Sequence, residues 1–115
     1  MSKLIERRDG VNMEIKKLIQ EGEELKNNLN KSNYEKIMDW IRNSQSYVET
    51  KYKAVEFTKT FRSAAENFIN MIQSQGTYNE DYFNQLIISL KECKDYEAFL
   101  YGRTDEIENI NDYII

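Results

Sequence analysis

The sequence predicts an all-α protein: an antiparallel helical bundle of about four main helices plus a short C-terminal helix, in one domain over residues 1–115. Three observations predict it. There is no Pro and there are only four Gly in 115 residues, whereas all-β domains draw on both for their many tight turns. Apolar residues recur at spacings of three and four, which is the period of one helix face. Two S/T-x-x-E sequences, suited to helix N-termini, precede such runs. Composition agrees. A charged share of 31% beside a hydrophobic share of 40% suits helices with one buried and one solvated face. Eight Tyr, five Phe and one Trp are too many large anchors for a disordered chain.

The first helix carries Leu4, Arg8, Val11, Ile15, Leu18, Gly22, Leu25 and Leu29 on one heptad-like stripe, widened by Ile5 and Ile19 toward bundle packing. Gly10 is a candidate break, leaving residues 2–9 as a separate turn. Gly22 lies on the stripe itself, where a missing side chain lets another helix approach closely. The Asn-rich stretch Asn27–Lys31 ends this helix. Ser32-Asn33-Tyr34-Glu35 reads as a capping box opening the second helix, with Tyr34, Ile37, Met38, Ile41, Val48 and Tyr52 at helical spacing. A third apolar set, from Phe57 to Ile72, follows without Gly or Pro. One helix over 33–74 would be about 60 Å long, too long for a compact domain, so a bend is expected near Thr50–Glu56. Gly76 closes the third helix, and Thr77-Tyr78-Asn79-Glu80 forms a second capping box. Tyr82, Phe83, Leu86, Ile87, Leu90, Cys93, Tyr96, Phe99 and Leu100 make the broad face of the fourth. Gly102 is its expected C-cap, and Thr104-Asp105 starts the short last helix with Ile107, Ile110, Tyr113 and Ile114.

Little in the sequence suggests chemistry. There is no His, which removes the commonest general base and zinc ligand. The single Cys93 allows no internal disulfide and no CxxC knuckle, and its apolar neighbours mark it as a buried structural thiol. No phosphate-binding, nucleophile-elbow or metalloprotease motif occurs. Acid pairs such as Glu35/Asp39 fall on solvated faces. The expectation is a non-enzyme with no cofactor and no metal. No apolar run reaches membrane-spanning length, and the N-terminus mixes charges where a signal peptide would be apolar. A cytoplasmic location follows as an expectation.

Charge points to surfaces. Residues 1–63 hold 13 basic and 10 acidic side chains; residues 64–115 hold 3 and 10. The acidic end, Asp105, Glu106, Glu108 and Asp112, is a candidate for docking in a basic groove. Lys51, Lys53, Lys59 and Arg62 interleave with Tyr47, Tyr52 and Phe57 as single-strand binders do. Glu49, Glu56 and a pI near 5.0 argue against nucleic acid as the partner. Trp40, Tyr47 and Tyr52 are candidate interface residues, because Trp and Tyr dominate binding hot spots.

Leu18-Ile19-Gln20-Glu21-Gly22-Glu23-Glu24-Leu25, followed by Tyr34, Trp40, Tyr47 and Phe57 or Phe61 and then by Leu86 and Leu90-Lys91, form an arrangement that resembles small helical accessory domains of bacterial antiphage defence proteins. The resemblance covers residues 14–100 and implies sensing or partner contact without chemistry. Rich use of Asn, Lys and Ile fits an AT-rich bacterium or its phage. The leading expectation is a helical protein–protein interaction module, a regulator or adaptor in phage–host conflict. Two alternatives stand beside it: a small acidic inhibitor that occupies a basic nucleic-acid-binding site, and a homo-oligomeric structural protein, the heptad stripe of residues 4–29 building a homodimer.

Overall fold

The structure is a computed structural model; it describes the backbone of residues 2–114 and the side chains of residues 14–100. Four helices follow one another: α1 (Ser2–Lys26), α2 (Tyr34–Tyr52), α3 (Glu56–Gln75) and α4 (Glu80–Ile114), with a 3-10 turn at Lys31–Asn33 before α2. Among the described residues there is no strand. The all-α bundle predicted from periodicity is the observed fold.

Side-chain pairs give the helix directions. Lys26 Nζ donates to Asn84 Oδ1 at 3.0 Å and Lys91 Nζ pairs with Glu23 at 2.9 Å, so α1 and α4 run antiparallel. Arg62 grips both oxygens of Glu49 at 2.7 Å and Tyr52 meets Phe57 with ring centroids 5.6 Å apart, so α2 and α3 run antiparallel; the guanidinium holds the Glu49 carboxyl below its ordinary range. Across the core diagonal, Trp40 meets Phe83 with ring centroids 4.9 Å apart and Tyr47 meets Glu97. Helices α2 and α4 are therefore parallel, as an up-down-up-down bundle requires. The core draws on every helix: Ile15 and Leu18, then Ile37, Ile41 and Val48, then Phe57, Phe61 and Phe68, then Phe83, Leu86 and Leu90.

The connections refine the sequence reading. The bend expected near Thr50–Glu56 is there: α2 stops at Tyr52 and extended Val55 precedes α3. Gly76 ends α3 at φ 67°, donating to Ile72 O at 2.8 Å while Thr77 donates to Met71 O at 3.2 Å. That double closure needs a left-handed residue, which Gly adopts without strain.

Neither predicted capping box forms. Ser32 Oγ bonds Asn30 Oδ1 at 2.6 Å, and no side chain caps α2. The 3-10 turn already occupies the entry, with Asn33 N–H on Asn30 O and Tyr34 N–H on Lys31 O. At α4 the cap is Asn79, whose Oδ1 accepts the Tyr82 N–H at 2.9 Å, in place of Thr77. The breaks expected at Gly10 and Gly102 are also absent. Helix α1 continues through Gly10, and α4 continues through Gly102 to Ile114, so the separate short C-terminal helix is the last part of α4. One helical Gly costs only about 1 kcal/mol, which neighbouring turns outweigh when no Pro enforces a stop.

Candidate functional site

Two groups of residues stand out, one buried and one exposed. The buried group lies where α2 ends against α4. Glu97 falls on the inward stripe Phe83–Leu86–Leu90–Cys93–Glu97 and is fully buried. Its Oε2 accepts the hydroxyls of Tyr47 and Tyr52, each at 2.6 Å, while Oε1 accepts no hydrogen bond from any described residue. Burying a carboxyl is costly unless donors compensate, and the two phenols are that compensation. Burial first, and then the bond to Glu97, push the Tyr47 phenol far above its ordinary value of 10.0. Lys51 Nζ sits 5.0 Å over the Tyr47 ring, a cation–π arrangement. Tyr52, Phe57 and Tyr96 pack edge to face at 5.4–5.6 Å, so the α2–α3 corner is tied to α4 by both rings and hydroxyls.

Cys93 lies one turn before Glu97, fully buried. Burial, with Glu97 adding to it, pushes its thiol up to about 12. At pH 8 only about one such thiol in ten thousand is ionised. The folded protein is therefore expected to leave an aromatic disulfide reagent unreacted over hours at pH 8, with full reaction in denaturant. Rapid stoichiometric reaction of the native chain would contradict this burial. Among the described residues no three His, Cys, Asp or Glu converge as metal ligands would, and no helix is long and apolar enough to cross a membrane.

The exposed group is the outer face of α4. Asp81, Ile88, Glu92 and Asp95 all point outward, at spacings of seven, four and three that share one helix face. Ile88 is 40% exposed, Tyr96 36% and Phe99 56%, with Leu100 also exposed. Beside this face, Ser63, Ala64 and Asn67 of α3 with Tyr82 and Gln85 of α4 line a shallow groove of about 310 Å³.

The residues singled out from the sequence fare differently. Trp40 is 4% exposed and Tyr47 6%; both are core residues and present no interface in this fold. Trp40 fills the space above Gly22 and donates Nε1–H to Leu18 O at 2.7 Å. Tyr52 is half-buried in the Glu97 cluster. In the basic–aromatic patch, Tyr47 and Phe57 are buried and Arg62 is engaged by Glu49, so those rings offer no stacking platform. The side chains of Asp105, Glu106, Glu108 and Asp112 lie outside the described residues. Sequence reasoning missed Glu97, although an acid on an apolar stripe was a readable signal. It also missed Ile88, which breaks that stripe outward. No family model matches the chain, and no characterised protein and no solved structure matches it.

Proposed function

We propose that this chain is a non-enzymatic helical protein–protein interaction module that docks on another protein through the outer face of α4. The observation that carries the reading is the exposure of Ile88 at 40%, on a helix that also exposes Tyr96. Large apolar side chains gathered on one exposed face mark interaction surfaces more often than scattered ones do. The resemblance of residues 14–100 to accessory domains of antiphage defence proteins supports a regulator or adaptor as the specific role.

Ile88→Asp tests the reading with little risk to the fold, since exposed substitutions stay within about 0.5 kcal/mol. The native partner, recovered on the wild-type chain from source cells, is expected to bind this variant at least about tenfold more weakly, a loss of about 1.4 kcal/mol. The melting temperature should be unchanged. Undiminished binding by a folded Ile88→Asp variant would remove α4 as the docking face.

A further inference from the structure

We propose that the element seated on this face is a basic amphipathic helix of the partner protein, an inference that rests on the docking reading above. The shape comes first. Ser63, Ala64 and Asn67 are small, and with Tyr82 and Gln85 they leave a groove of about 310 Å³ along the α3–α4 seam. A third helix can lie along such a seam and set anchors at i, i+4 and i+7 against it. Ile88 lies one turn of α4 beyond Gln85 and is exposed, an apolar contact for one of those anchors.

Charge decides what kind of helix. Ile88 is bracketed by Asp81, Glu92 and Asp95, all exposed, with Glu56 and Lys59 farther along the groove. Neither Glu92 nor Asp95 is in an ion pair among the described residues, whereas the neighbouring Lys91 is turned to Glu23 at 2.9 Å. The face therefore shows three acids around one Ile, with α4's nearest base drawn away toward α1. Lys and Arg flanking an apolar stripe complement that pattern. Phosphate backbones and anionic lipid surfaces meet repulsion there. A second copy does not fit either, because a two-fold contact centred on Ile88 sets Asp95 of one copy against Asp81 of the other, acid on acid.

The test uses the full chain with two helical peptides about five turns long, one of Leu and Lys in an amphipathic pattern and one of Leu and Glu in the same pattern. The Leu/Lys peptide is expected to shift backbone amides of residues 63–67 and 88–95, with affinity falling as salt rises. The Glu92→Lys, Asp95→Lys double variant, its fold checked by circular dichroism, should weaken it at least about tenfold. Equal binding of the Leu/Glu peptide, shifts centred on residues 105–112, or no binding overturns the assignment. The native partner separates the two levels. If Ile88→Asp releases it and the double Lys variant retains it, the basic helix is wrong and the docking face stands. If neither variant releases it, the docking face itself is wrong.

Discussion

Gly22→Val is expected to lower stability by about 3 kcal/mol or more, enough to cut the melting temperature by about 10 °C in a chain of this size. The cause is one contact. A Cβ on Gly22 would fall inside the envelope of Trp40 Cζ2 and stand 3.0 Å from Cε2 and Cη2. The indole cannot retreat: Phe83 and Phe61 back it at 4.9 and 6.5 Å, and its Nε1–H is held by Leu18 O at 2.7 Å. That carbonyl lies one turn before Gly22, so the ring is fastened to the very turn that lacks a side chain.

Gly22→Ala sets two effects against each other. Helix propensity favours Ala by up to about 1 kcal/mol, while overpacking costs about 1–3 kcal/mol. With the indole pinned, the clash should win and Ala should destabilise. In a Trp40→Leu background the ring is gone, and the same substitution should become stabilising. Urea midpoints of the four chains measure this reversal. If Gly22→Ala has the same sign in both backgrounds, Trp40 is not what the missing side chain accommodates.

That contact was half legible in the sequence. Gly22 on the heptad stripe foretold a close approach, and Trp40 lay on the flank of the second helix's stripe, three residues after Ile37. What periodicity could not show was that Trp40 fills the gap, since a large ring near a stripe serves a core or an interface equally well. The helices and the Thr50–Glu56 corner were readable because several residues at one spacing all carry the same signal. Their ends were not. Thr77 and Asn79 are both good caps, differing by well under 1 kcal/mol, so local geometry chooses between them. Gly10 and Gly102 looked like breaks, yet each is one weak residue within helices of 25 and 35. Glu97 was harder still. Its place on the stripe is visible, but the phenols that make its burial tolerable come from α2, some 45 to 50 residues away. Nothing local announces that pairing.

Glu97→Ala is expected to cost about 3 kcal/mol, and the reason is asymmetry at one oxygen. Oε2 accepts both phenols at 2.6 Å, so deleting the acid leaves the buried Tyr47 hydroxyl without its acceptor and takes one bond from Tyr52, whereas Tyr47→Phe leaves the Tyr52 bond in place and should cost about 2 kcal/mol. Once Glu97 is gone, Tyr47→Phe removes an orphaned hydroxyl and should be nearly neutral, which a double-mutant cycle in urea will show. The same contact has a signature in alkali. The Tyr47 phenol in the folded state lies above its ordinary value of 10.0, and Cys93 is pushed from 9.0 up to about 12. Both raised groups give stability that is whole below their unfolded values and is lost as pH climbs toward their folded ones. Stability should therefore start to fall above pH 9, from Cys93, and steepen above pH 10 as Tyr47 joins. Each contributes about 1.4 kcal/mol per pH unit. Tyr47→Phe should remove the second bend and Cys93→Ala the first. A wild-type profile that stays flat to pH 11 would mean that both groups ionise in the folded bundle, which their burial beside Glu97 forbids.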